Sequence, residues 1–388
     1  MASLYEQLGA SATKADVHEA VAATDPGLFP TAFCRIGPDV LGGDPAWCSI
    51  AHADGAGTKA IVAYLAFRET GDPRWFRGLA QDALVMNLDD MACVGAVDRF
   101  LLVNTIARNG RLIRGSAIAE IIGGFEDCRR RWQEFGVEIV ATGGETADLG
   151  DAVRTLVVDA ALATRLPRKN VIDAGRIEPG LAIVGLSSTG RAWYEDSVNS
   201  GIGSNGLTLA RHVLLHREYR NNYPETVAPE TDASLTYRGK YKLSDEPNGW
   251  GMSVAAALLS PTRTYAPILK QVIAALGERV RGIIHNTGGG LGKCLRFGKN
   301  VHFVKDDLFE TPPLFKTIAE AGVPAEEMAR TFNMGCRMEV YVSLADAKTV
   351  IEIAERFGVG AKIIGRCEVS KVGNRVTTDC LGTSIDLN

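Results

Sequence analysis

Residues 47–68 read WCSIAHADGAGTKAIVAYLAFR, and the order of residue types along them decides the fold class. Trp47 to Ala53 is strand-like. Asp54-Gly55-Ala56-Gly57-Thr58-Lys59 interrupts it, and an amphipathic helical pattern then runs to about Arg68. Strand, glycine-rich turn and helix in that order are a unit of α/β architecture. The glycines let backbone N–H groups approach an anion closely, and the helix N-terminus adds a favourable dipole. Lys59 offers a point charge to phosphate and Asp54 a hard oxygen to Mg²⁺. The segment is not a P-loop, because GxxxxGK[ST] occurs nowhere in the chain. Taken alone, it reads equally well as a plain connection with a surface lysine.

Working outward, residues 1–30 read as a helical, polar arm, and glycines and prolines cluster from Gly37 to Pro45. Helices are expected over about Trp75 to Gly95 and over 115–135. Strands are expected over Asp98 to Ala107, Val137 to Thr142 and Leu156 to Ala163. Breakers between Arg165 and Pro179 set a domain boundary at 168/169. A strand from Leu181 to Ser187 opens the second half, and Gly201 to Gly206 leads into a helix reaching about His216. Residues 217–250 have few aliphatics, many charges and several tyrosines, so they read as an inserted excursion, a long loop or hairpin. Helices resume at Val254, a strand ends at Ile283 to His285, and helices alternate with strands to about Val369. The expectation is a mixed α/β (α+β) protein of two domains, 1–168 and 169–388.

Composition narrows the function classes. The chain has 388 residues, 46% hydrophobic and 23% charged, with a net charge of −4. Two domains are the natural prior for that length, and near-neutral charge argues against nucleic acid as a partner. Eight cysteines are present without a CxxC pair. They read as reduced, small hydrophobes of a cytoplasmic protein. No apolar run approaches the ~18–20 residues of a membrane-spanning helix, and no signal peptide is visible.

Four further segments carry candidate chemistry. Asp89 and Asp90 are adjacent acids inside the apolar run Ala83 to Ala96; a buried carboxylate needs a partner, and Mg²⁺ on phosphates is one. Gly143-Gly144-Glu145-Thr146-Ala147 follows a strand, with Glu145 a metal or hydrogen-bonding candidate and Thr146 a cap in the plainer reading. Gly201-Ile202-Gly203-Ser204-Asn205-Gly206 matches GxGxxG, but not directly after a strand, so a dinucleotide site is rejected. Ser204 and the N–H groups ahead of the helix remain phosphate candidates. Finally, His285-Asn286-Thr287-Gly288-Gly289-Gly290 sets a histidine at a strand end before three glycines. His18, His52, His212, His216 and His302 lack such a setting and read as structural or surface residues.

Each signal is weak, but their order is informative. Asp54 to Lys59, Met86 to Asp90, Gly143 to Ala147, Ser204 to Gly206 and His285 to Gly290 succeed one another as in one superfamily. It includes aminoimidazole ribonucleotide synthetase, formylglycinamidine synthetase, selenophosphate synthetase, thiamine monophosphate kinase and a hydrogenase maturation protein. Leu259-Ser260-Pro261-Thr262-Arg263 and Arg330-Thr331-Phe332-Asn333-Met334-Gly335, with Tyr5 and Gly9 in the arm, most resemble the phosphoribosylformylglycinamidine cyclo-ligase branch. The likeness covers most of residues 1–370. The chain departs from it at Gly203, where relatives carry histidine, at Asp89-Asp90, commonly Asn-Asp, and at Ala53, usually a hydroxyl residue.

The resemblance implies ATP-dependent closure of the imidazole ring of a small phosphorylated substrate, in purine biosynthesis. It implies ATP and Mg²⁺, and a homodimer in which the N-terminal domain contributes strands to a shared barrel. Carried onto this chain, Asp54, Asp90 and Glu145 would hold Mg²⁺, with Asp89 as a helper. Lys59 and the Gly55, Gly57 and Thr58 backbone would contact phosphate, as would Gly143, Gly144 and Thr146. Ser204, Asn205, Gly288, Gly289 and Gly290 would cradle a phosphoryl group, and His285 would move a proton, with Asp54 and Lys59 also catalytic. Other readings are another ATP-dependent enzyme of the superfamily or a non-catalytic nucleotide-binding protein.

Overall fold

The computed structural model describes residues 2–11 and 15–388, apart from the side chains of Ala15 and His18. The first sheet takes strands β1 (Gly37–Pro38), β2 (Trp47–Gly55), β3 (Arg99–Arg108), β4 (Glu138–Asp148) and β5 (Leu156–Pro167). Their order is β1-β2-β5-β3-β4, antiparallel except for the parallel β3–β4 pair. The second sheet takes β6 (Ala182–Ser187), β7 (Gly282–His285), β8 (Val301–Lys305), β9 (Cys336–Val342), β10 (Ala361–Val369), β11 (Arg375–Cys380) and β12 (Thr383–Leu387). These run in the order β12-β11-β8-β10-β6-β9-β7. The architecture is thus mixed α/β with two sheets, as the sequence indicates.

Side-chain periodicity explains the layers. β5 alternates, with Leu156, Val158, Ala160 and Leu162 buried while Val157 and Asp159 face outward. Helices Lys59–Thr70 and Gly78–Ala92 cover the buried face of this sheet. On the other face Leu101, Val103, Val140 and Val157 stay 38–50% exposed. In the second sheet β6 and β9 are buried at every position, the mark of strands covered on both sides.

The Gly78–Ala92 helix is buried almost all round, as a helix inside a core must be. It packs on β2 and β5 and also meets the Ala266–Leu276 helix of the second half. Its acids therefore lie between the halves of the molecule and not on a surface.

Three elements differ from the sequence reading. Gly143 to Ala147 is not a turn: β4 continues through it, because β3 pairs with it from Arg99↔Glu138 to Arg108↔Asp148 around a bulge at Leu102/Val103. The helix expected from Trp75 is a 3₁₀ turn, Pro73–Phe76, followed by the helix proper; Asp72 caps the turn and proline opens it. Beyond Val369 a further hairpin, β11–β12, extends the second sheet. Residues 217–250 hold one short helix, Glu218–Asn222, and otherwise 3₁₀ turns and loop. Among the described residues no helix is long and apolar enough to cross a membrane, and all eight cysteines are free thiols.

Candidate active site

Lys59 opens the helix after the glycine turn, but its ammonium does not reach solvent. It is fully buried, 2.7 Å from Asp82 Oδ1 and 2.5 Å from the Ser260 carbonyl. Burial pulls its pKa below the usual lysine range, and Asp82 offsets only part of that. The same Asp82 oxygen accepts from the Thr262 N–H at 2.8 Å, the Thr262 hydroxyl at 2.6 Å and the Ser204 hydroxyl at 3.2 Å. One buried carboxylate thus ties the glycine turn, the 259–265 loop and the serine of the 204–206 loop together. Asp82 was not singled out in the sequence. It lies one residue before the apolar run that drew attention to Asp89 and Asp90, and the same signal would have found it.

The two adjacent acids point in different directions. Asp89 is fully buried and takes the Thr264 hydroxyl at 2.5 Å and the Tyr265 N–H at 3.0 Å. Burial pushes its pKa up to about 7, against those hydrogen bonds. Asp90 meets two imidazoles, His285 Nδ1 at 2.8 Å and His52 Nε2 at 3.4 Å. Burial opposes its charge, but His285 and His52 outweigh it and hold the carboxyl below its ordinary pKa.

His285 ends β7 with no exposed surface. Burial lowers its pKa, and Asp90 restores part of the loss. A neutral ring donating Nδ1–H to Asp90 leaves a lone pair on Nε2. That nitrogen is buried without a partner among the described residues. His52, set aside in the sequence reading, belongs to this cluster. The Asn87 amide nitrogen donates to three carbonyls, so its oxygen accepts from His52 Nδ1 at 2.9 Å.

The two glycine-rich loops come together. A Cβ on Gly288 would lie 3.8 Å from Asn205 Oδ1. At Gly206, φ is +78° and a Cβ would strike the Phe332 ring at 2.3 Å; at Gly290, φ is +52° and a Cβ would strike the Ala329 carbonyl at 2.3 Å. The 330–333 segment therefore packs against both loops and demands glycine in each. The Tyr5 hydroxyl of the N-terminal arm lies near the Gly206 backbone, and Glu327 fastens that arm through the Leu4 and Tyr5 N–H groups. Thr58 joins the glycine turn to the helix after the 204–206 loop, 2.9 Å from Thr208 Oγ1.

Asp54, Gly143, Gly144, Glu145 and Thr146 stand apart from this cluster, exposed at the open end of the first sheet. Asp159 joins them and was missed by the sequence reading. Its carboxylate lies over Gly55, where a Cβ would meet Oδ1 at 1.8 Å. Its pKa is raised, by burial first and by the charge of Asp54 second. Thr105 pairs with Glu145 on one side and Asp159 on the other, which puts the two acids on one face of the sheet. Two strand spacings, roughly 10 Å, separate them. Among the described residues no three metal-binding side chains gather into one centre.

A sheet open on one face, two opposed glycine-rich loops and a buried Asp–His pair define a class, and family models describe it. AIR synthase related protein, N-terminal domain, matches residues 39–164, and AIR synthase related protein, C-terminal domain, matches 178–376. The phosphoribosylformylglycinamidine cyclo-ligase of Methanocaldococcus jannaschii is 33% identical over 318 residues, 82% of this chain and 77% of the relative. That of Methanococcus vannielii is 33% identical over 322 residues, 81% of this chain and 76% of its own. The chain belongs to the AIR synthase related family, on its phosphoribosylformylglycinamidine cyclo-ligase branch. Solved structures agree on the fold. A HypE–HypF complex aligns with TM-score 0.55 and 14% identity over 96% of this chain and 98% of that one. Thiamine-monophosphate kinase from Stenotrophomonas maltophilia aligns with 0.51 and 15% over 94% and 95%.

Proposed function

We propose that the protein converts formylglycinamidine ribonucleotide and ATP into aminoimidazole ribonucleotide, ADP and phosphate. The observation that carries the reading is the one-third identity to cyclo-ligases over four-fifths of the chain. The chemistry suits the site. A formamide oxygen is a poor leaving group, and transfer of the γ-phosphoryl group from ATP onto it makes it a good one. A nitrogen of the same substrate then attacks that carbon, the ring closes, and phosphate leaves with the oxygen. The attack is intramolecular, so holding the substrate in position supplies much of the rate.

His285 Nε2 would be the base that takes the proton released on ring closure, with Asp90 orienting the ring through Nδ1. The 204–206 and 288–290 loops bind phosphoryl oxygens. Asp82 with Lys59, and Asp89 with Thr264 and Tyr265, position those loops from beneath.

Mg²⁺ would suit the open end of the first sheet, where burial first and the charge of Asp54 second raise the pKa of Asp159 and a cation would offset both. Asp54 and Asp159 would hold it together with ATP oxygens, and Glu145, two strand spacings away, would reach it only through the nucleotide or water. Bound there, Mg²⁺ would neutralise charge on the transferring phosphoryl group. The Gly55–Thr58 backbone and the Gly143, Gly144 and Thr146 strand flank that end and would contact the nucleotide.

The half-exposed Leu101, Val103, Val140 and Val157 would be covered by a second copy of the chain, giving the homodimer. The domain boundary at 168/169, the inserted excursion over 217–250 and a cytoplasmic location complete the reading.

The test is incubation of the purified chain with Mg-ATP and formylglycinamidine ribonucleotide, following ADP and aminoimidazole ribonucleotide together. Equal, substrate-dependent formation of both is expected. ATP binding with no ring product from folded protein would sink the assignment and favour a non-catalytic nucleotide binder.

A further inference from the structure

Five cationic side chains are buried deep in the second half and at its contact with the first; Arg211 holds the Thr226 carbonyl at 2.9 Å and the Tyr237 hydroxyl at 2.6 Å, and Arg337 is the least compensated. Lys59, Arg263 and Lys305 each hold a carboxylate, at 2.7, 2.5 and 2.6 Å. Arg337, near the start of β9, is 2% exposed. Its one described hydrogen bond runs from Nη2 to the Gly201 carbonyl at 3.2 Å. Its Nε has no acceptor among the described residues. Burying a guanidinium with so little compensation is expensive, so its surroundings matter.

The guanidinium lies against Gly203. A Cβ at that position would meet Nη2 at 1.7 Å and Nη1 at 2.1 Å, so any residue but glycine would expel it. The space beside Gly203 is filled from another strand. Directly above, no acceptor among the described residues takes the N–H groups of Gly203, Ser204, Asn205, Gly288 or Gly289. Gly203 has φ +68° and Gly289 φ +105°, a backbone that turns successive N–H groups toward a common anion. The Asn286 N–H donates to the Arg337 carbonyl at 2.7 Å, which fixes Arg337 beside the second loop.

We propose that Arg337 is the charged floor of a phosphoryl-binding subsite whose walls are the 203–205 and 288–289 backbones. The ligand is a dianionic phosphoryl group, either the 5′-phosphate of the ribonucleotide or the group in transit from ATP. The proposal rests on the cyclo-ligase reading of this site. The rival is that Arg337 only balances the Asp89 and Asp82 carboxylates, both of which favour its charged form; Asp82 Oδ2 is also buried without a partner among the described residues.

Full-length Arg337→Met and Arg337→Lys distinguish the two. Calorimetric binding of the ribonucleotide without ATP, binding of ATP without ribonucleotide, and kcat are measured for each. Ribonucleotide affinity at least tenfold weaker in Arg337→Met, with the lysine variant between, assigns the 5′-phosphate. Unchanged affinities with kcat at least a hundredfold lower assign the transferred group. Affinities and kcat all within twofold of wild type overturn the subsite. If Arg337→Met fails to fold, Arg337→Gln is read in its place with the same outcomes. Absence of ring product from the wild type would sink the cyclo-ligase reading by itself. The subsite is then read with inorganic phosphate: a rise in melting temperature present in wild type and lost in Arg337→Met supports it, and equal rises overturn it.

Discussion

Asp82→Asn is the substitution whose consequence follows most directly from the geometry. The wild-type carboxylate is 1% exposed and its Oδ1 receives four donors, among them the buried Lys59 ammonium at 2.7 Å. The amide keeps the shape and one acceptor but removes the only carboxylate within ion-pair reach of Lys59 among the described residues. Breaking a buried pair by neutralising one partner costs about 3–5 kcal/mol. Lys59 has an escape, because burial already lowers its pKa, and it can fold as a neutral amine. A loss of about 3 kcal/mol at pH 7 is therefore expected, read from urea unfolding followed by circular dichroism. The sign with pH is fixed. A lysine whose folded pKa is depressed binds its proton more weakly folded than unfolded. Stability of Asp82→Asn should therefore rise with pH between that depressed value and the ordinary 10.5. Lys59→Met/Asp82→Asn should recover part of the loss, since no buried charge is left unpaired. A loss under about 0.5 kcal/mol, or a double variant equal to the sum of the singles, would refute the claim that Lys59 and Asp82 form a coupled buried pair.

Other expectations follow from single contacts. Asp159→Asn should raise the Mg²⁺ concentration needed for half-maximal turnover about tenfold or more while leaving the melting temperature within a few degrees; a Mg²⁺ titration of activity decides. His285→Gln should lower kcat by about 10²–10⁴-fold with little change in ATP affinity, measured by steady-state kinetics alongside calorimetry. Leu101→Asp/Val103→Asp should yield a monomer in sedimentation equilibrium if a second copy covers the exposed sheet face. Burial holds His212 at a pKa of about 2 in the fold against 6.5 ordinarily. Its share of stability is therefore present above pH 6.5 and lost as pH falls below it, by up to about 1.4 kcal/mol per pH unit. His212→Gln should flatten that acid limb of the urea midpoint.

Much of this site is legible in the sequence, because glycine-rich turns and acids inside apolar runs are local signals. The 204–206 and 288–290 loops, His285 and Asp90 are flagged by their immediate neighbours, and the fold brings them together. What the sequence hides is partnership. Nothing local tells whether Lys59 points to solvent or into the core; only the packing of the 259–265 loop over it decides. Asp159 is likewise invisible, since its meaning comes from lying over Gly55, a residue over a hundred positions away that pairs with it across β2 and β5. The continuation of β4 through Gly143 to Ala147 has the same origin. Glycines there suggest a turn, and pairing to β3 overrides them.

The distribution of charge explains why the site sits where it does. Asp82, Asp89 and Asp90 all belong to a helix buried between the halves; the 259–265 loop meets Asp82 through Thr262 and Asp89 through Thr264 and Tyr265, and His285 meets Asp90. Glu339, buried on β9, does the same for the second glycine loop. It takes Lys305 Nζ at 2.6 Å and the Asn286 amide at 2.7 Å, while Lys305 also donates to the Leu291 carbonyl at 2.7 Å. Side chains so fully bonded have no freedom to relax, so they cost no reorganisation when charge moves above them. Four buried polar atoms in this frame lack a partner among the described residues: Asp82 Oδ2, His285 Nε2, Asn286 Oδ1 and Arg337 Nε. They cluster at the two glycine-rich loops and the helix beneath them, which is where the proposed proton transfer and phosphoryl contact need free hydrogen-bonding capacity.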